Sequence, residues 1–408
     1  MVARPPQPGR PGPVSLPAVA DPTPPPAPPP TPAPSRSAAP GPGPGPVRPD
    51  HGGACVTGIV PALLRGEQPA WMPAPVAGAR AVVLLVLDGL GWDAVDPVRT
   101  PRLAALTGGP VTTVAPSTTA AALTSITTGL APSVHGVIGF RIALDGDVCN
   151  VLASQYAHRK RPPDPFVVQR HPPFLGRPVV VVGASAHRGS GFTQVHLRDA
   201  RYVGYRATST LVEHLRRLSR GDDRFVYAYY PGVDEVAHAH GLHDGYYAAE
   251  LRAADRLVGD VLDALPGDVA LVVTADHGQS HVPRDGWRTL GDVGDLVAFG
   301  SGDARFRYLH APRGGGAALL EAARDAFGRE AWVFGHEQLL DEGWLGPTPG
   351  PATRRRLGDV VLAAHDGVAF VDPALPREAN LVSAHGSLTP AEMLVPCLAG
   401  RGGPTGGV

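Results

Sequence analysis

The sequence predicts an α/β fold: a mostly parallel central sheet with helices on both faces and a small inserted cap region. Three observations carry that reading. Short apolar runs alternate with longer amphipathic stretches along most of the chain, the succession that βαβ units produce. The short runs are continuous rather than alternating, as in strands covered on both faces. The longer stretches place apolar residues three and four apart, the period of a helix with one buried stripe.

In chain order, AVVLLVL (81–87), PVVVVG (178–183), RFVYAYY (224–230) and VALVVTA (269–275) read as buried strands, and EMLVPCLAG (392–400) as a late one. ATSTLVEHLRRLS (207–219) and YYAAELRAADRLVGDVLDAL (246–265) read as helices, the second stopped by Pro266 and Gly267. The segment from Pro116 to Gly129 reads as a further helix, opened by Ser117, Thr118 and Thr119 and filled with small and apolar residues. Between about 282 and 380 the periodicity weakens, which predicts further sheet edge plus an inserted or cap segment.

Residues 1–50 are dominated by Pro, Ala and Gly, a composition that buries too little apolar surface to offset chain entropy, so a disordered tail is expected there. One domain is expected over 51–399 and a flexible, glycine-rich end over 400–408. Hydrophobic residues make up 43% of the chain, enough for a large core, while a net charge of −1 offers little to a polyanion. A nucleic-acid polymer is therefore not an expected partner. Neither is a membrane, since no run reaches the roughly 20 apolar residues of a spanning helix. Cys55, Cys149 and Cys397 are far apart and without CxxC spacing, which argues against a disulfide framework or a thiolate zinc site. No unbroken apolar leader is visible, so a cytoplasmic protein is expected. A single lysine, Lys160, amid abundant Arg, Ala, Gly and Pro fits the coding bias of a GC-rich bacterium.

In an open parallel sheet, ligands bind beyond the carboxyl ends of the strands. Asp88 follows the first strand, Asp234 lies just past RFVYAYY, and Asp276-His277 terminates VALVVTA. One such Asp is more often a turn residue or helix cap than a ligand; three in a row, two with histidine beside them, point to metal chemistry. Asp234 and His238, four apart, share a face if the chain turns helical after Gly232. Asp276 and His277 are adjacent and can converge only where the strand gives way to a loop, which Gly278 permits. His385, in SAHGSLTP, is by itself an ordinary loop histidine. His135, His240 and His281 read as helix-end or loop residues. At the start of the 116–129 helix a hydroxyl can simply cap free amides. Equally, it can sit where a helix N-terminus binds phosphate and stabilises a developing oxyanion.

Taken in order, the strand ending in Asp88, Thr119 ahead of TTGLAPSVHG, D-x-x-x-H at 234–238, ADHG at 275–278 and AHG at 384–386 resemble the motif set of the nucleotide pyrophosphatase/phosphodiesterase family, within the alkaline phosphatase superfamily. The resemblance spans about Val82 to Pro396. It implies an alkaline-phosphatase-like fold and two divalent metal ions, zinc first and manganese second. By that pattern Asp88, Thr119, Asp276 and His277 hold one ion, and Asp234, His238 and His385 the other. Counting back from Thr128-Gly129-Leu130 selects Thr119, rather than Thr118 or Ser117, as the nucleophile of a phosphothreonine route; the hydroxyls of Ser117 and Thr118 are then expected to serve only as caps. The backbone N–H of Ala120 is an implied donor to the phosphoryl oxygens. Phe140 stands where the animal enzymes of this family carry a phosphate-contacting asparagine. Arg141 beside it is either a substitute phosphate contact or a surface arginine.

The implied function is a two-metal phosphodiesterase or pyrophosphatase acting on a small phosphoester or nucleotide-like substrate. A phosphomonoesterase or phosphonate hydrolase shares the same ligands. From another class, a metal-binding pseudoenzyme or a scaffold recruited through the proline-rich tail remains an alternative, disfavoured because all seven ligand positions are filled.

Overall fold

The computed structural model describes residues 45–347 and 349–403. Most of the expected tail, and residues 404–408, lie outside them. Residues 45–50 do not continue the tail in the described part: Pro49 is buried, and the Val47 N–H donates to the Leu388 carbonyl at 2.8 Å.

Seven strands form the central sheet: β1 (Ala81–Leu87), β2 (Thr107–Thr112), β3 (Val180–Ala184), β4 (Arg201–Tyr205), β5 (Phe225–Tyr230), β6 (Val269–Thr274) and β7 (Leu394–Arg401). Their spatial order is β2-β7-β6-β1-β5-β3-β4. The pairs β6-β1, β1-β5, β5-β3 and β3-β4 are parallel, whereas β7 runs antiparallel to both of its neighbours. Every residue of β1 and β6 is buried, which is why those runs read as continuous rather than alternating. Leu87 lies opposite Tyr230 on β5, and Val86 opposite Thr274 on β6. This register sends Asp88, Asp234 and Asp276 out of the same end of the sheet.

Helices cover both faces. One of them, α1 (Val56–Arg65), packs on α2 (Thr119–Thr128). Nine of the ten residues of α2 are buried, so it is a core helix without an exposed face. Its threonines are tolerated because their hydroxyls bond back to the preceding turn: Thr124 to Ala120 O at 2.7 Å and Thr127 to Leu123 O at 2.9 Å. Gly129, at φ 72°, ends it in the left-handed conformation. The two helices read from periodicity are α3 (Thr208–Leu218) and α5 (Gly245–Ala264), separated in sequence by α4 (Gly232–His240).

The weakly periodic region is not further edge of the central sheet. Its strands Phe299–Asp303, Phe306–His310, Val360–Ala364 and Ala331–Gly335 pair only with one another, all antiparallel. They enclose a second small core with Leu309, Leu319, Phe327 and Phe370. Among the described residues no helix is long and apolar enough to cross a membrane.

Candidate metal centre and nucleophile

Asp88, directly after β1, is 2% exposed. Asp276 and His277, one residue beyond β6, are wholly buried. They approach because Gly89 takes φ 73° and turns its N–H to Asp276 Oδ1 at 3.2 Å. A Cβ at residue 89 would stand 2.9 Å from Asp234 Cβ, so glycine is required for close approach as well as for the turn. Asp234 and His238 lie on α4, one turn apart, with His238 Nε2 3.3 Å from Asp234 Oδ1. His385 comes from the two-residue strand pairing Ser383–Ala384 with Ser280–His281, and its Nε2 lies 3.7 Å from Asp234 Oδ1. The lone loop histidine of the sequence is thus brought into the cluster.

The three imidazoles share one arrangement. Nδ1 of His238, His277 and His385 sits 2.8, 3.0 and 3.0 Å from the backbone carbonyls of Ser383, Gly278 and Ser117. Each carbonyl fixes the proton on Nδ1 and leaves the Nε2 lone pair facing the cleft, as metal-ligating histidines require. His277 Nε2 is 3.4 Å from Asp88 Oδ1 and 3.5 Å from Asp276 Oδ2. Those two carboxylate oxygens are buried without a hydrogen-bond partner, a costly condition that a cation relieves. Burial and the neighbouring charges of Asp276 and Asp234 push the Asp88 carboxyl well above its usual range. Burial, then the adjacent His277 and His238, pushes His385 well below its own. Two sets, Asp88/Asp276/His277 and Asp234/His277/His385, each bring their donor atoms within 4.8 Å of one another. Oxygen and imidazole nitrogen donors in this number suit divalent zinc or manganese.

Thr119 is the first residue of α2, and its Oγ1 lies 3.0 Å from His277 Nε2. Ala120 follows at the second helical position, where an N–H has no partner within the helix. Beside Thr119, Asp88 and Asp234 a recess of about 290 Å³ opens, walled by Leu123, Val181, Phe192, Tyr227 and others. No arginine or lysine lines it.

Two expectations need correction. Thr118 makes no side-chain cap; its Oγ1 instead donates to Asp303 Oδ1 at 2.6 Å, and Ser117 Oγ donates to Ser387 O at 2.6 Å. The segment carrying Thr119 is therefore tied to the cap sheet through a carboxyl that burial pushes up to about 7. Thr118→Val should accordingly cost about 1–3 kcal/mol in chemical denaturation at pH 8, the penalty of a buried acceptor left unpaired. Thr118→Ser should recover most of it; a loss no larger than about 0.5 kcal/mol would show that the bond carries no weight.

Arg141 is the second correction. It is neither on the surface nor among the residues lining the recess: it is 5% exposed, its guanidinium donates to Asp372, and it lines a different cavity. A charge already engaged by a buried carboxylate is not presented to a phosphate beside Thr119. His135 is a buried helix end, 2.8 Å from Ser125 Oγ. His240 stacks on Tyr246, and His281 meets the edge of His243.

Three supporting residues escaped the sequence reading. Tyr229 donates its hydroxyl to Asp88 Oδ2, and Gln279 donates to Asp234 Oδ1 while accepting from Ser383 Oγ at 2.7 Å. Both adjoin residues already singled out, so neighbourhood was the available signal. Asp303 lies in the weakly periodic cap and had none.

A mixed α/β sheet whose strand ends gather carboxylates and imidazoles around one threonine hydroxyl defines an alkaline-phosphatase-like protein. The type I phosphodiesterase/nucleotide pyrophosphatase family model matches residues 82–388, and the chain belongs to that family. Among solved structures it is similar to murine ectonucleotide pyrophosphatase/phosphodiesterase 5 in complex with AMP. That likeness has a TM-score of 0.61 at 15% identity and covers 80% of this chain and 88% of that one. It is also similar to phosphonoacetate hydrolase from Sinorhizobium meliloti in complex with phosphonoformate, with a TM-score of 0.56 at 20% identity over 81% and 92% of the two chains. Among curated proteins, 90 residues are 31% identical to the catalytic subunit of GPI ethanolamine phosphate transferase 3 of Mus musculus. That match takes in 22% of this chain and 8% of the relative's length.

Proposed function

We propose that this chain is a metal-dependent phosphoester hydrolase of the phosphodiesterase/pyrophosphatase type, with Thr119 as nucleophile and a small phosphoester or nucleotide-like substrate. The observation that carries the reading is the position of Thr119 Oγ1, 3.0 Å from His277 Nε2 and in one cleft with Asp88 and Asp234. Asp88, Thr119, Asp276 and His277 would hold one divalent ion, and Asp234, His238 and His385 a second, zinc being the best match to the donors. Such ions supply a lowered hydroxyl pKa and neutralisation of phosphoryl charge.

The residues of the chain do the rest. Thr119 Oγ1 releases its proton to water and attacks phosphorus, the P–O bond to the first ester group breaks, that group leaves as an alkoxide and takes up a proton from water to become the alcohol, and a phosphothreonine results. Water then breaks the Oγ1–P bond and restores the hydroxyl. The Ala120 N–H would donate to a phosphoryl oxygen, where the positive end of α2 also favours negative charge. Because no arginine or lysine lines the recess beside Thr119, it suits an uncharged ester group better than the carboxylate of a phosphonoacid.

Bis-p-nitrophenyl phosphate, p-nitrophenyl phosphate and a nucleotide p-nitrophenyl ester, each assayed with zinc and with manganese, test this reading. The diesters should turn over at least about tenfold faster than the monoester, since one ester group fills the recess. A protein that binds both ions yet hydrolyses none of the three would instead be a metal-binding pseudoenzyme.

A further inference from the structure

Arg141 lines a second cavity. It measures about 730 Å³ and lies between the small sheet formed by Arg141–Leu144, Asp147–Asn150 and Gln155–Tyr156 and the cap sheet. None of the seven candidate metal ligands lines it. Two guanidiniums do, Arg141 at 5% exposure and Arg307 at 2%. Both donate through Nη1 to the same oxygen, Asp372 Oδ2, which lies 3.1 Å from Arg307. Asp372 is also the only acidic residue of the lining.

The donors outnumber what the protein offers them. Arg307 Nη2 is satisfied by Glu378 at 3.0 Å and by the Phe370 carbonyl, yet its Nε is buried with no partner. Among the described residues Arg141 makes no hydrogen bond beyond the one to Asp372, so Nε and Nη2 of its fork remain open. A planar fork with its Nε/Nη2 edge free is the group best matched to a carboxylate or phosphate, which it can bind bidentately. Arg307 Nε, buried without an acceptor, is the costly one of these donors.

The remaining wall is of another character. Leu290, Val297, Phe299 and Leu375 give it an apolar side. Gly300 leaves the space over the ion pair open: a Cβ there would come no closer than 3.9 Å to any atom, the nearest being Asp372 Oδ2. The strand could carry a side chain at that point, and the cavity exists in part because it does not.

We propose that this cavity is a second ligand site, separate from the metal cleft, for a small molecule bearing a carboxylate or phosphate group on a compact apolar or aromatic body. The anion would accept from Arg141 Nε and Nη2, and the apolar body would lie against Leu290, Phe299 and Leu375. This assignment is independent of the hydrolase reading, since it uses none of that site's residues.

The test is calorimetric titration of the full-length, metal-loaded protein with benzoate, with phenylphosphonate and with the neutral benzamide. Benzoate, phenylphosphonate or both should bind saturably, and benzamide at least about tenfold more weakly. Thr119→Ala should leave this binding unchanged, whereas Arg141→Gln and Gly300→Leu should each weaken it at least about tenfold. Gly300→Leu fills the cavity while keeping Arg141, Arg307 and Asp372 themselves, so it decides the matter if Arg141→Gln does not fold. Binding of only one anion identifies which of the two groups the site takes. The proposal is overturned if no anion binds up to about 10 mM, if benzamide binds as tightly, or if Gly300→Leu binds like the unaltered protein. Phenylphosphonate binding that persists in both cavity variants belongs to the metal cleft, and it overturns the proposal unless benzoate binding is lost in both.

Discussion

Replacing Thr119 by Ala should lower turnover of a phosphodiester by at least about 10³-fold, as removal of a covalent nucleophile does elsewhere, while leaving bound metal nearly unchanged. Thr119 Oγ1 faces His277 Nε2 at 3.0 Å but takes no part in capping α2, which Thr118 precedes without a side-chain capping bond. Its loss therefore removes the proposed attacking atom and one of the seven proposed donors, with three carboxylates and three imidazoles still in place. Elemental analysis of the purified variant beside its turnover separates the two effects. Near-normal turnover in Thr119→Ala, or metal lost along with activity, would transfer the nucleophile's role to another group.

The converse is expected of Asp276→Asn, which should lose metal and activity together. Asp276 Oδ1 accepts the N–H of Gly89 at 3.2 Å and of His277 at 3.1 Å. An asparagine carbonyl can keep both bonds, so the loop stays formed. What disappears is the charge on Oδ2, the buried oxygen without a partner beside His277. A neutral amide there gives a divalent ion little, and loss of a charged ligand from a buried site is expected to weaken binding at least about 100-fold. His238→Ala should act in the same way on the other half of the cleft. Full metal content in Asp276→Asn, with a structure unchanged by circular dichroism, would show that Asp276 is not a ligand.

Much of this site was legible in the sequence because the sheet is parallel and its central strands are buried on both faces. Burial makes β1, β5 and β6 read as unbroken apolar runs, and parallel pairing puts the residue after each run at one end of the sheet. Asp88, Asp234 and Asp276 could therefore be placed together without coordinates. The edge strands were hidden for the opposite reason. β2, with the sequence TGGPVT, has neither pattern nor propensity and exists because β7 pairs with it. Gly108 within it sits at φ 141°, where a Cβ would stand 2.1 Å from Cys397 O. Its glycine thus records a close approach that no local period reveals.

What the sequence determined by itself, then, was the order of buried strands and helices and the polar residues at their ends, since these follow from local period and chain direction. Where His385 goes was settled by tertiary structure, because a two-residue bridge and a carbonyl on Ser117, 268 positions away, aim its ring. The same holds for Thr118, whose hydroxyl serves Asp303 across 185 positions, and for Arg141, held by Asp372 across 231. A polar side chain taken out of water must find a partner wherever the fold supplies one, and that partner's address is not written in the residues beside it.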